Sequence, residues 1–261
     1  MGSGNVMRLG LFLASVLALV PMPASAALSE RELAQAVATP PAGARLPALT
    51  FSDARGHTAK LETLADGTPL ALIFADYTCR NVCSPGLTLT AARLRETGLV
   101  PGKAFRLVVI GIDPKDTRAD ALHFGQAIGS MPEVARATRF LRGDAATVTA
   151  ATRALGYGHV YDPAADQYAH DASVYVFGAD GRLIALLPQI GLLAEPLKAA
   201  LTGNYPARRS DWITRVARVC YGFAAAHGRF GRPILLGLQG LAVLLLLCAA
   251  VLAFRLWRVT R

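Results

Sequence analysis

The sequence predicts an α/β domain, a mixed β-sheet flanked by helices, joined at its C-terminal side to a transmembrane helix. Three observations carry this. The apolar run at 70–74 and the segment 105–112, apolar except for Arg106, read as buried strands. Segments with helical spacing alternate with them, which is the order of a sheet covered by helices on both faces. The stretch from Pro233 to Phe254 carries no charge and is long enough to cross the hydrocarbon layer of a bilayer.

Taken in order, residues 27–45 are rich in Ala and Pro and read as an extended lead-in. Leu49 to Leu61 reads as a hairpin around Asp53-Ala54-Arg55-Gly56, where Gly56 can take positive φ. Leu70–Phe74 is a buried strand, and Asp76–Pro85 carries two cysteines. Leu87, Ala91 and Leu94 recur at helical spacing up to Gly98. Phe105–Ile112 is a second buried strand ending at Asp113-Pro114, and Thr117 caps a helix running to about Ile128. A short strand at Thr138–Leu141 precedes a helix capped by Asp144 and ended by Gly156. Ser173–Phe177 and Leu183–Leu187 form a hairpin around Ala179-Asp180-Gly181, and Leu192–Leu201 is the last helix. The folded domain is thus expected over residues 46–202.

The ends of the chain are of another kind. The hydrophobic fraction is 53% and the mean hydropathy +0.37, high for a soluble protein. Arg8, the apolar run Leu9–Val20 and the small residues Ala24-Ser25-Ala26 read as a signal peptide over 1–26. Residues 233–254 read as a single transmembrane helix, 203–232 as a basic membrane-proximal segment and 255–261 as a cytoplasmic tail. Within the basic segment, Trp212, Val216, Val219 and Phe223 fall near helical spacing, which suits a helix in the membrane interface or one packed on the domain. The signal peptide delivers everything before the span outward, so the main domain is expected to be periplasmic, or extracytoplasmic in general, with a short cytoplasmic tail.

The net charge of +9 does not point to nucleic acid. Residues 1–202 hold 18 Lys+Arg against 17 Asp+Glu, whereas 203–261 hold nine Arg and only Asp211. The basic excess flanks the apolar stretch, where lipid head groups attract it, rather than covering the folded domain.

The chemistry centres on Cys79 and Cys83, which directly follow a buried strand and precede a helix. Their spacing places both on one helical face or across a loop-to-helix junction. A helix N-terminus favours thiolate, and with it metal binding and disulfide exchange. An inert disulfide is the plain alternative, but it would close a very short loop and constrain the unfolded chain little. Two cysteines holding Cu(I) or Zn(II) usually take a third ligand. His57 sits in a hairpin turn, His123 within a helix, His159 in a polar stretch and His227 near the membrane segment. His170, just ahead of the strand at 173, is the best placed of the five.

The order Asp76-Tyr77-Thr78-Cys79-Arg80-Asn81-Val82-Cys83-Ser84-Pro85, Gly111-Ile112-Asp113-Pro114, then Tyr168-Ala169-His170-Asp171 ahead of a strand closed by Asp180-Gly181-Arg182 resembles the SCO/SenC family. The resemblance implies a thioredoxin-like fold and a copper chaperone for cytochrome c oxidase. It implies Cys79, Cys83 and His170 as ligands of Cu(I) or Cu(II), with Asp113 or Asp171 orienting the ring or completing the site. It also implies delivery to the binuclear copper centre of cytochrome c oxidase subunit II, and a periplasmic thioredoxin-like reductant or copper donor. The chain departs from the family pattern at Arg80, where proline is usual, and at Ala169, where an acid commonly precedes the histidine. An alternative is a membrane-anchored thiol–disulfide oxidoreductase using Cys79 and Cys83 as a redox-active pair. A thiol peroxidase is a weaker one.

Overall fold

The computed structural model describes residues 28, 30–79, 83–163, 166–206, 239–245, 255 and 258. After a short helix α1 (Glu30–Gln35) come β1 (Thr50–Asp53), β2 (Thr58–Lys60), β3 (Leu70–Ala75) and α2 (Cys83–Glu96). There follow β4 (Arg106–Gly111), α3 (Arg118–Gly125), α4 (Pro132–Arg136), β5 (Thr138–Arg142) and α5 (Ala145–Ala154). The domain closes with β6 (His159–Asp162), β7 (Gln167–His170), β8 (Ser173–Phe177), β9 (Leu183–Pro188) and α6 (Ala194–Leu201).

Seven strands form one sheet in the order β2-β1-β5-β4-β3-β8-β9, and β6 pairs with β7 separately. β3, β4 and β5 run parallel, while β1 and β8 join them antiparallel. All six residues of β3 are buried, and alternate side chains serve opposite cores. Ala71, Ile73 and Ala75 pack with Leu87, Ala91 and Leu94 of α2 and Leu197 of α6. Leu70, Leu72 and Phe74 face the other way, with Ala151 and Leu155 and with Tyr157 and Tyr175. The mixed sheet with helices on both faces is therefore present.

Local signals account for the helix starts. Thr117 accepts from the Asp120 N–H while Asp120 reaches back to Thr117, a reciprocal cap on α3. Asp144 accepts from the Thr147 N–H at 2.7 Å ahead of α5. Gly56, at φ +90°, makes the β1–β2 turn.

Three elements differ from expectation. The segment before residue 46 is not merely extended: it contains α1 and docks on the domain, with Thr39 N–H bonding Gly156 O at 2.6 Å and Ala38 N–H bonding Asp171 Oδ2 at 2.8 Å. A Cβ at Gly158 would run into the backbone of Gln35–Val37, so glycine permits this close approach. The polar stretch around His159 forms the hairpin β6–β7 with the residues before His170, and His159 and His170 face each other in register. The five-residue α4 was not foreseen at all.

The expected signal peptide at 1–26, most of the basic segment 203–232 and most of the expected span 233–254 lie outside the described residues. Residues 239–245 are helical. Among the described residues no helix is long and apolar enough to cross a membrane.

Candidate metal centre

The chain turns sharply as it leaves β3. Asp76 is 1% exposed, and its Oδ1 accepts from both the N–H and the hydroxyl of Thr78 at 3.0 and 2.9 Å. Cys79 N–H then bonds back to Asp76 O at 3.2 Å. Tyr77 anchors the turn from beneath: its hydroxyl reaches the carbonyls of Val109 and Leu141 at 3.0 and 2.8 Å. Its N–H donates to Asp116 Oδ2 at 3.1 Å. A Cβ on Gly111 would stand 2.8 Å from the Tyr77 ring, so this glycine makes the seat.

Cys79 is half-buried in the loop, and Cys83 is the first residue of α2 and 7% exposed. The pair meets across a loop-to-helix junction as two thiols, with no bond between the sulfurs. The Cys83 thiol is pushed far up from its ordinary range, chiefly by its hydrogen bond with Cys79, then by burial and by the negative charge of Cys79. The expectation of a thiolate-favouring helix N-terminus therefore does not hold for Cys83: its neighbour and its burial hold the proton on.

His170 ends β7 and is 6% exposed. Its Nε2 lies 3.2 Å from Cys83 Sγ, although 87 residues separate the two in sequence. On the other side of the ring, Nδ1 lies 2.7 Å from the Tyr157 hydroxyl and 3.0 Å from the Asp171 carbonyl. A carbonyl only accepts, so this contact favours the tautomer with the proton on Nδ1 and leaves the Nε2 lone pair facing sulfur. Tyr157 is fixed in turn by stacking on Phe74, with ring centroids 4.1 Å apart. Phe74 belongs to β3, the strand that delivers the cysteines. One strand thereby positions both halves of the site.

The two aspartates expected to orient the ring or complete the site have carboxylates with partners of their own. Asp171 touches the ring through its main-chain carbonyl, while its carboxylate is taken up by Ala38 N–H and the Ser173 hydroxyl. Asp113 accepts from Lys115 N–H at 2.8 Å and has the Lys115 ammonium 3.6 Å away. Tyr157 is the partner that sequence reasoning missed. His227 lies outside the described residues, and the other described histidines stay apart or serve otherwise. His57 and His123 are exposed, and His159 sits opposite His170 with its pKa lowered by burial.

Chemically, the arrangement offers two sulfurs and one imidazole nitrogen on a shared, partly covered edge. Among the described residues no three His, Cys, Asp or Glu side chains already stand in a metal-holding group. Cys83 and His170 are in contact, and the Cys79 side chain is hydrogen-bonded to Cys83.

Residues 41–202 match the SCO1/SenC family. No curated protein matches the chain. Among solved structures, Bradyrhizobium japonicum ScoI with copper bound is similar at 22% identity and a TM-score of 0.50, covering 65% of this chain and 99% of that one. A SCO1/SenC family lipoprotein from Bacillus anthracis str. Ames is similar at 17% identity and a TM-score of 0.54, covering 64% and 98%. BsSco, described as a member of the Sco family of cytochrome c oxidase assembly proteins with a disulfide switch, is similar at 18% identity and 0.50, covering 64% and 96%.

Proposed function

The chain belongs to the SCO1/SenC family, and from that premise we propose that it binds copper through Cys79, Cys83 and His170 and passes it on during cytochrome c oxidase assembly. The observation that carries this is the 3.2 Å approach of His170 Nε2 to Cys83 Sγ. Soft sulfur ligands suit Cu(I), and the imidazole helps accommodate Cu(II). The copper-bound ScoI relative and the oxidase-assembly description of BsSco support the same reading.

Copper enters here as cargo. Binding displaces the proton that Cys83 holds, so uptake releases protons and weakens as pH falls. Tyr157 and the Asp171 carbonyl keep Nε2 turned toward the incoming ion. Release follows when a recipient replaces the ligands one at a time, and the half-buried Cys79 is the accessible one. The recipient proposed is the binuclear centre of cytochrome c oxidase subunit II. A periplasmic thioredoxin-like protein would keep the pair reduced or supply the copper.

The domain is proposed to work outside a bacterial inner membrane, exported by residues 1–26 and held by one span at 233–254. The charge-free composition of that stretch and the arginines on both sides of it support this.

Copper titration of the full chain and of His170→Ala tests the ligand set. Loss of Cu(II) affinity by tenfold or more is expected, and undiminished affinity removes His170 from the site.

A second reading has its own observation, the hydrogen bond between the Cys79 and Cys83 side chains. The two thiols would give up two protons and two electrons to a disulfide of the recipient, becoming a disulfide while the recipient's sulfurs become thiols. Exchange with an oxidised recipient peptide, in the absence of copper, separates this reading from metal transfer.

A further inference from the structure

A second surface stands at the opposite end of the parallel strands from the cysteines. β3, β4 and β5 run the same way, and Cys79 follows the last residues of β3. Arg106 opens β4, Arg139 is the second residue of β5, and Arg136 ends the helix just before it. These three share a depression of about 180 Å³. A neighbouring depression of about 340 Å³ adds Lys60. A third, of about 520 Å³, adds Arg55 and His57. Arg139 lines all three, and Arg106 and Arg136 each line two, so the depressions adjoin one another and together make up a basic groove at this edge.

Domain composition does not explain this clustering. Residues 46–202 carry fifteen Lys and Arg against fifteen Asp and Glu. The groove gathers five of those cations and has one acid, Asp53, in its lining. Asp53 offsets part of this charge: its Oδ1 accepts from the N–H groups of Arg55 and His57 at 2.8 and 2.9 Å, and its Oδ2 lies 3.5 Å from His57 Nδ1 and 3.9 Å from the Arg139 guanidinium, which still leaves an excess of cations. Arg55, His57, Lys60, Arg136 and Arg139 are all exposed. Like charges brought together on a neutral domain repel one another, and an anionic partner relieves that cost.

We infer that this groove seats the domain on anionic phospholipid head groups. Charge complementarity argues for an anion, and the sequence beyond the domain argues for a membrane. After Pro206 the chain carries six arginines between 208 and 232, then the uncharged stretch 233–254. The choice of lipid rests on the anchored reading given above. A six-residue strand spans about 20 Å, so a domain seated by the groove holds Cys79, Cys83 and His170 about that far from the head groups, facing a soluble partner.

The test follows the rate at which phenylglyoxal modifies individual arginines, read by peptide mass spectrometry. The full chain is reconstituted in phosphatidylcholine nanodiscs, with or without about one third phosphatidylglycerol. Arg136, Arg139 and Arg55 are expected to react at least threefold more slowly in the anionic discs. Arg142, at the other end of β5, is expected to keep its rate. Equal rates in both discs overturn the proposal, as does stronger protection by an added oligoglutamate peptide, which would assign the groove to an acidic protein. Entry into the discs is read separately by co-elution and tests the anchor. If the chain enters neither disc, phosphatidylglycerol vesicles are added to it in solution: slowing of the same arginines sustains the groove, and unchanged rates overturn it.

Discussion

The Tyr157 hydroxyl lies 2.7 Å from His170 Nδ1 and also 3.0 Å from the Asp171 carbonyl. One phenol thus ties the imidazole to the backbone beside it, and the far nitrogen is left facing Cys83 at 3.2 Å.

Tyr157→Phe removes this bond and keeps the ring stacked on Phe74. Outer hydrogen bonds to a ligand histidine are worth about 10–100-fold in metal affinity, so Cu(II) affinity is expected to drop about tenfold. The loss of stability should stay near 1 kcal/mol. Competition titration and thermal unfolding read the two effects separately.

Asp171→Ala should show the opposite balance. Its carboxylate serves Ala38 N–H and Ser173, not the ring. Leaving a buried N–H unpaired costs about 1–3 kcal/mol, so Tm falls while copper affinity changes by less than about threefold. A large loss of affinity with unchanged Tm would contradict the placement of this side chain.

The two cysteines should react unequally in the reduced, copper-free chain. Cys83 is 7% exposed and its thiol is held protonated by Cys79 and by burial, whereas Cys79 is half-buried. Iodoacetamide at pH 8, followed by mass spectrometry, is expected to label Cys79 at least about ten times faster, since thiolate content and exposure govern the rate.

Asp116 gives a pH dependence. Its carboxyl is pushed up to about 7, first by burial, with the Tyr77 N–H opposing and Asp76, Asp113 and Asp120 adding repulsion. Above pH about 4 the unfolded chain loses this proton while the folded chain keeps it, so the group costs stability as pH rises from about 4 to 7. Asp116→Asn keeps an acceptor for Tyr77 N–H. At pH 8 it should be more stable by at least about 1 kcal/mol. The gain should vanish below about pH 4. Urea unfolding at both pH values checks this.

Much of this fold was legible because its signals are local. The apolar runs of β3 and β4, the capping residues Thr117 and Asp144, and the turn at Gly56 each act within a few residues. The cysteine pair was equally plain. The β6–β7 hairpin was not, because Tyr157-Gly158-His159-Val160-Tyr161 mixes polar and aromatic residues without the alternation that marks a strand. The docking of the lead-in depends on an Ala38–Asp171 bond across 133 residues, which no local pattern contains. The same distance hid Tyr157 as the partner of the ring: its role comes from stacking on Phe74, a contact made only once the sheet has formed.

X-ray absorption at the copper edge of the Cu(I)-loaded full chain tests the central claim most directly. Two sulfur scatterers and one imidazole nitrogen are expected, with the nitrogen signal absent in His170→Ala. A copper environment of sulfur alone, identical in that variant, would contradict the three-ligand site.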